Sequence, residues 1–397
     1  MKVRDKPYYH LVFNQTPFYA ESGGQVGDTG YLDDGEEKIK ILNTMKEHSL
    51  LIHVTEKLPQ DTSQIFEAVV SAKARAGTAS NHTATHLLHH ALREVLGRHV
   101  EQKGSLVSPE YLRFDFSHFQ KVTDDEIIAV EMLVNEKIRE GIERHEMRET
   151  SMENARKMGA MALFGEKYGD TVRVIQYGDS VELCGGTHVE STSQIGLFKI
   201  VSESSIAAGI RRIEAVTGEK AEAWYRNLEK NLRMVEQLLN NPQDVVKAVH
   251  VLLDERSSLQ KQLEKYTRES ARIFKESLMS GIRKIGNHSL IAAIAEGVNE
   301  DPAVIRDVAY QLRGELTNLF LVIGAVSGDK PYLAVMMTDD ILKEKKLHAG
   351  EIVKAAAREF EGGGGGQPFF ATAGGKNPAR LKNAMDKAVE LFMSAVK

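Results

Sequence analysis

Cysteine is almost absent from this sequence, since Cys184 is the single thiol in 397 residues. One thiol cannot form an internal disulfide, and the residues after Met1 lack the apolar core of a signal peptide. Both absences predict a reducing, cytoplasmic setting. No apolar run reaches the roughly 18 residues of a membrane-spanning helix, so a membrane protein is not supported.

An excess of basic residues is also absent, because the formal net charge is −5. This balance argues against nucleic-acid binding over the whole surface. A local basic excess lies between Lys261 and Lys284, interleaved with glutamate. A solvated helix face is the simpler interpretation, and phosphate contact there stays open.

The hydrophobic pattern predicts an α+β protein of several domains, in keeping with its length. Residues 1–77 contain short strand-like runs between turn signals and predict a partial small β-barrel, truncated at its N-terminus. Residues 78–218 predict an α/β domain with a largely antiparallel sheet. Residues 219–284 predict a helical hairpin that serves as a spacer or a dimer contact. Residues 285–397 predict a C-terminal α/β domain.

The C-terminal domain contains an unusual run of glycines. They are Gly362, Gly363, Gly364, Gly365 and Gly366. A flexible linker is the usual interpretation of such a run. Because this one lies inside a predicted domain, we expect instead a backbone that something approaches closely.

Two short-spaced residue pairs suggest a metal site. His82 and His86 lie four apart in the helical pattern "NHTATHLL", so both imidazoles project from one face. Cys184 and His188 lie four apart in the glycine-rich "ELCGGTHV". An isolated cysteine is most often only a buried apolar residue. Together, however, the pairs form a Cys-His₃ set that suits one tetrahedral zinc ion.

The spacing does not decide whether this zinc is catalytic or structural. Thr83 stands where the HExxH pattern of metalloproteases has glutamate, which argues against peptidase chemistry. Four protein ligands fill a tetrahedron, so an activated water would require ligand exchange or five-coordination.

Further polar residues lie in strand-like or turn-like contexts. Gln102 occupies the strand-like "HVEQKGSLV", and Arg211 and Arg212 adjoin Glu214 in "GIRRIEA". These arginines fit either a structural ion pair or a phosphate-bearing substrate. Gln25 follows "SGG" on a turn that could reach the same cleft.

Longer stretches resemble one known family. The editing domain of bacterial alanyl-tRNA synthetases is similar to "TPFYAESGGQVGDTG", "NHTATHLLHHALREVLG", "HVEQKGSLVSPEYLRFDFSH", "CGGTHV" and "IAAGIRRIEAVTG". The C-terminal domain of the same enzymes resembles "EGGGGGQPFFATAGG". The resemblance covers essentially the whole chain, in matching order.

The resemblance implies hydrolysis of the ester that joins serine or glycine to the 3′ end of tRNA(Ala), as a second sieve after aminoacylation. The zinc ligands that it implies are His82, His86, Cys184 and His188. The editing residues that it implies are Gln102, Arg211 and, from free-standing relatives, Thr16. The expected contacts with substrate or tRNA are Gln25, Arg212, Gly362, Gly363, Gly364, Gly365, Gly366 and Lys376.

The family also sets expectations for partners and cofactors. Alanine and ATP bind in an N-terminal catalytic domain that has no counterpart in this sequence, so we expect that the chain does not charge tRNA. The expected partner is tRNA(Ala), at its acceptor end and outer corner. Self-association is expected through the helical hairpin or the C-terminal domain. A fragment of the synthetase is favoured over a free-standing editing protein, because a barrel without its first strand leaves an exposed edge.

Two rival functions remain at this point. In the first, the zinc is structural and the chain only binds tRNA or dimerises. In the second, the glycine-rich domain belongs to a DHH-type phosphoesterase. That chemistry requires an Asp-His-His motif, which the sequence lacks.

Overall fold

The computed structural model describes residues 8–161, 169–345 and 347–396. Two compact units divide the chain, Met1–Leu238 and Leu239–Lys397. Both units combine small sheets with helices, as the predicted mixed fold class requires. Within the described residues, no helix has the length and apolar character needed to cross a membrane.

The first unit begins with short strands, as predicted. They are β1 (Tyr9–Val12), β2 (Gly30–Asp33), β3 (Lys38–Ile41), β4 (Asn43–Glu47), β5 (Leu50–Thr55) and β6 (Glu67–Val70). These strands form two three-stranded sheets, in the orders β1-β5-β4 and β3-β2-β6. A closed barrel is not formed by the described residues, and the partial barrel expected from the sequence stays a prediction beside these two small sheets.

The remainder of the first unit contains three longer helices, a short helix and two further sheets. Its elements are α1 (Ala72–Leu96), β7 (Gln102–Val107), β8 (Leu112–Ser117), α2 (Asp124–Arg139), β9 (His145–Ser151), α3 (Met152–Lys157), β10 (Thr171–Tyr177), β11 (Ser180–Leu183), β12 (Phe198–Ala207), β13 (Ile210–Thr217) and α4 (Gly218–Leu238). One antiparallel sheet has the order β12-β13-β8-β7, and the other has the order β11-β10-β9.

Local sequence explains where the shorter helices begin and end. Thr123 and Glu126 form a reciprocal capping box at the start of α2. Helix α3 is shorter than the pattern of 153–164 predicts, because Gly159 adopts a φ of +77° directly after it. Part of that predicted helix, 162–164, lies outside the described residues.

Helix α1 packs its buried face on the four-stranded sheet. Leu87, Leu88 and Leu92 of the helix share a core with Phe114 and Phe116 of β8. The core fixes the rotation of α1, and so it also fixes where the two histidines of "NHTATHLL" project.

The second unit is an α/β domain around one six-stranded sheet. Its elements are α5 (Val245–Ser280), β14 (Arg283–Ile285), β15 (His288–Ile294), α6 (Pro302–Glu315), β16 (Leu319–Ser327), β17 (Lys330–Met337), α7 (Asp339–Lys345), α8 (Ala349–Ala357), β18 (Gly363–Gly366), β19 (Phe370–Gly374) and α9 (Leu381–Val396). The strand order is β14-β15-β16-β17-β19-β18. Only the pairing of β15 with β16 is parallel within this described sheet.

The glycine run is a strand. Four of its five residues form the whole of β18, at the edge of the sheet. A Cβ atom added at Gly362 or Gly364 would overlap the carbonyl oxygen of Gly374 or Thr372. The close approach expected from the sequence is therefore an approach to the chain's own strand β19. At Gly363 and Gly365, by contrast, an added Cβ would meet nothing within 4 Å.

The two helices expected within 219–284 are present as α4 and α5. Helix α4 is the last element of the first unit, and α5 is the first element of the second. Leu252, Leu259, Leu263 and Tyr266 on α5 are exposed. A role of this segment in dimerisation stays a prediction.

Candidate metal centre

Helix α1 and the loop after β11 bring the four expected metal ligands together. His82 and His86 lie one turn apart on α1, and Cys184 and His188 lie on the loop. One ligand atom from each of these side chains lies within 4.8 Å of all the others, and all four side chains are buried. The structure thus joins two pairs that are about a hundred residues apart in the sequence.

The distances between these atoms fit a shared ion. The Sγ of Cys184 lies 3.4 Å from Nε2 of His82 and 3.2 Å from Nε2 of His188. Ligand atoms on a tetrahedral zinc ion are about 3.5 Å apart, given the usual zinc–nitrogen and zinc–sulfur distances. The two measured sulfur–nitrogen distances are therefore close to those around a tetrahedral zinc ion.

Two of the imidazoles have their second nitrogen held by a neutral side chain. The Nδ1 of His82 lies 2.7 Å from Oε1 of Gln25, so it donates to the amide oxygen. The Nδ1 of His188 lies 3.1 Å from the hydroxyl of Thr83. Protonated Nδ1 atoms leave the lone pairs of both Nε2 atoms free to bind a metal.

The third imidazole, that of His86, has the opposite orientation, because its Nε2 and not its Nδ1 faces a polar side chain. Its Nε2 lies 3.3 Å from Oε2 of Glu182, and its buried Nδ1 has no hydrogen-bond partner in the described structure. A buried polar atom without a partner needs an explanation, and a metal ion supplies one. Glu182 also accepts from Nδ1 of His89 at 3.0 Å. The residues present therefore fit a metal ion.

The electrostatic environment keeps these ligands in their metal-binding forms. Burial lowers the pKa of His82, His86 and His188 below the ordinary histidine value. Neutral imidazoles are the form that binds a metal. Burial works to raise the pKa of Glu182, but His86 and His89 together hold it below the usual glutamate value.

The glycines of "ELCGGTHV" allow the loop to close on the helix. A Cβ atom at Gly186 would overlap the ring of His82 and lie 2.8 Å from Oε1 of Gln25. Arg173 of β10 fixes the same loop, because its guanidinium donates to the carbonyl oxygens of Cys184, at 2.9 Å, and Gly186, at 2.7 Å. Close packing, and not loop flexibility, thus explains the second glycine.

Gln25 belongs to this centre as well. It is fully buried, and besides accepting from His82 its Oε1 accepts from the backbone N–H of Thr187 at 2.9 Å. Its Nε2 donates to the Thr187 hydroxyl at 3.0 Å. The amide expected to contact substrate is therefore used to hold a metal ligand and the ligand loop.

Two of the three expected editing residues share one row of the four-stranded sheet. Gln102 and Arg211 are both register partners of Phe116, on either side of β8. Cross-strand partners project from the same face. Gln102 donates to the Ser105 hydroxyl at 3.2 Å. Arg211 forms a two-bond ion pair with Glu203, at 2.5 and 2.6 Å.

The other predicted residues have hydrogen-bond or ion-pair partners of their own. Arg212 pairs with Asp115 at 2.6 Å, as the ion-pair interpretation expected. The Thr16 hydroxyl lies 2.7 Å from Nε2 of His53. Lys376 follows β19 in the second unit, where its N–H donates to the carbonyl oxygen of Phe360.

Sequence reasoning missed the outer parts of the centre. The position of Glu182, two residues before Cys184 in "VELC", was the one local sign that it belongs to the centre. A cavity of about 460 Å³ beside His188 was also missed. Its arginines come from three segments of the sequence and form no motif. They are Arg75, Arg144, Arg148 and Arg173.

Comparison with known proteins gives consistent relatives for these segments. Residues 172–214 match the model of the threonyl and alanyl tRNA synthetase second additional domain. Residues 287–395 match the DHHA1 domain, and residues 2–73 match class II (A) tRNA synthetases.

Whole-chain relatives agree with these matches. An alanine–tRNA ligase of Cytophaga hutchinsonii is 50% identical over 394 residues, which are 99% of this chain and 45% of that protein. One from Bacteroides fragilis is 50% identical over 98% of this chain and 44% of its own length. The chain thus spans a little under half the length of these curated relatives. Among solved structures, the C-Ala domain of Aquifex aeolicus alanyl-tRNA synthetase matches 29% of this chain and 96% of that domain, at 25% identity and a TM-score of 0.25.

Proposed function

Since this chain belongs to the alanine–tRNA ligase family, we propose that it performs the editing reaction of that family. The reaction is hydrolysis of the ester that joins serine or glycine to the 3′ end of tRNA(Ala). The observation that carries the proposal is the buried set of one thiol and three imidazoles. The match of residues 172–214 to a second additional domain of threonyl and alanyl tRNA synthetases supports it.

Zinc is the metal that this donor set favours. One cysteine and three neutral histidines form a typical tetrahedral zinc set, and carboxylates, which hard cations prefer, are not among the four ligands. His82, His86, Cys184 and His188 would hold the ion. When bound, zinc supplies a Lewis acid and a fixed positive charge.

Gln102 and Arg211 are proposed to act on the ester from the row that they share. The hydrogen bond to Ser105 engages Nε2 of Gln102 and leaves its Oε1 as an acceptor for a water or for the substrate. The Arg211 guanidinium is held by Glu203, which fixes its position and moderates its charge.

Thr16 is proposed to read the side chain of the amino acid. Serine differs from alanine by a hydroxyl group, and a first binding site rejects such an addition only weakly. The hydrogen bond to His53 holds the Thr16 hydroxyl in place for a second selection of the amino acid. A hydroxyl recognises another hydroxyl by hydrogen bonding, and the methyl group of alanine offers no such partner.

The second unit is proposed to bind the outer corner of tRNA(Ala). Strand β18 is a free edge of the sheet, and its Gly363 and Gly365 leave space above the backbone. A nucleic acid can approach such a backbone closely. We also propose that the chain self-associates, through α4 and α5 or through the C-terminal domain, and that it is located in the cytoplasm.

A deacylation time course tests the enzymatic part. The chain is expected to release serine from Ser-tRNA(Ala) and to spare Ala-tRNA(Ala). Cys184→Ala removes one ligand and is expected to lower the rate by about a hundredfold or more, as loss of metal affinity does. Release no faster than in buffer would defeat the proposal. Equal rates for both proteins would exclude the metal centre from the reaction.

A further inference from the structure

A cavity of about 460 Å³ opens directly beside the metal centre. One wall is the ligand loop, with Gly186, Thr187 and His188. Another wall is the first part of α1, where Ala72 and Ala76 leave room. Its volume falls within the range of small-ligand sites. Any group in the cavity is therefore adjacent to a metal ligand.

The charge on the cavity wall is unbalanced. Glu146 is the carboxylate that lines it, and three guanidinium groups surround this one side chain. Arg173 lies 2.8 Å from it, Arg148 3.2 Å and Arg144 3.5 Å. Glu190 also pairs with Arg144, at 2.9 Å. Two negative charges do not neutralise three positive ones, so the wall retains a positive potential.

The arginines differ in how fully they are used. Arg173 and Arg144 donate to carbonyl oxygens of the ligand loop and so have a structural task. Arg75 is held by both carboxylate oxygens of Asp28. Among the described residues Arg148 contacts Glu146 through its Nε only, and its side chain is 81% exposed. Its two terminal amino groups are therefore available to a ligand.

We propose that this cavity binds a phosphodiester group of the tRNA acceptor end, with Arg148 as the residue that reaches it. The inference rests on the proposed function, because the ester on the terminal ribose has to reach the metal centre. The phosphate of that nucleotide is then the nearest anionic group. A guanidinium matches phosphate geometry and charge with two parallel hydrogen bonds.

Measuring hydrolysis of two esters of serine distinguishes a loss of phosphate binding from a loss of catalysis. One is Ser-tRNA(Ala), and the other is 3′-O-seryl-adenosine, which carries the same ester and no phosphate. With Arg148→Ala, the kcat/KM for the tRNA ester is expected to fall about tenfold further than that for the adenosine ester. The slope of log kcat/KM against log salt concentration for the tRNA ester should become shallower by about one unit. Arg148→Lys keeps the charge and should lose less.

Arg226→Ala is the matched control. Arg226 is 66% exposed and pairs with Glu222 on α4 of the same unit, so both esters should be hydrolysed as by the unaltered chain. Equal losses on the two esters for Arg148→Ala would show a structural role and overturn the proposal. No loss on either would overturn it as well.

Failure of the proposed function gives a different result. If the unaltered chain hydrolyses neither ester, the editing proposal fails. The phosphate site is then tested by equilibrium binding of an uncharged acceptor-stem hairpin that ends in CCA. Weaker binding by Arg148→Ala than by Arg226→Ala supports the site, and equal binding overturns it.

Discussion

Replacing Gln25 by alanine tests how far the metal centre depends on a residue of the N-terminal segment. The substitution removes hydrogen bonds to His82, to the backbone N–H of Thr187 and to the Thr187 hydroxyl. The buried Nδ1–H of His82 and the half-buried N–H of Thr187 then lose their acceptor. Each unsatisfied buried group costs about 1–3 kcal/mol, so two of them should lower the free energy of unfolding by roughly 2–6 kcal/mol.

Metal affinity should fall along with stability. Without Gln25, the Nδ1–H of His82 has no acceptor, so the tautomer and ring orientation that present Nε2 are less strongly fixed. Loss of such an outer hydrogen bond lowers metal affinity by about 10–100-fold. Zinc affinity is measured by competition with a chromogenic chelator. The absorption spectrum of the cobalt-loaded protein reports the thiolate ligand independently of activity.

Matched variants separate this effect from general damage. Gln25→Glu keeps an acceptor oxygen for His82 and should retain more affinity than alanine does. Thr187→Val removes only one of the hydrogen bonds and should have a smaller effect. Gln176→Ala removes an exposed amide that donates to the carbonyl oxygen of Gly178, and it should leave the zinc affinity unchanged. The reasoning is refuted if Gln25→Ala binds zinc as tightly as the unaltered chain and gives the same cobalt spectrum.

Two further predictions concern packing and titration. Gly364→Ala should destabilise the second unit by about 1–3 kcal/mol in urea unfolding, because its Cβ would overlap the backbone of β19. Gly363→Ala, with open space at its Cβ, should change stability by no more than about 0.5 kcal/mol, and equal effects would contradict the strand pairing. Burial raises the pKa of Tyr177 from 10.0 to about 12, so the stability that its neutral form supplies is complete below pH 10 and is lost as the pH rises toward 12. Urea unfolding across that range should show a smaller pH dependence in Tyr177→Phe, and the same dependence in both proteins would show that another group is responsible.

The parts of the structure that could be predicted are those encoded locally. His82 and His86 are one helical turn apart, and Cys184 and His188 share one short loop, so each pair is visible in a few letters. Thr123 and Glu126 likewise announce the start of α2 by their spacing. In these cases the residues that determine a local structure lie within about one helical turn of that structure.

The parts that could not be predicted depend on contacts between distant segments. Gln25 and His82 are 57 positions apart, and nothing in "SGGQVG" indicates which imidazole the amide will meet. The arginines around Glu146 are placed by β9, β10 and α1, whose packing no short pattern encodes. The strands of the first sheets were recognised from their turns, but turn signals do not determine whether sheets close into a barrel.

The metal centre therefore unites three segments that the sequence keeps apart. The ligands come from α1 and from the loop after β11, and the outer hydrogen bonds come from Gln25, Thr83 and Glu182. None of these segments can form the site alone, so a bound ion is retained only when the first unit is folded. Its binding free energy then adds to the stability of that unit. The ion would thus hold the ligand loop, and with it the wall of the arginine-lined cavity.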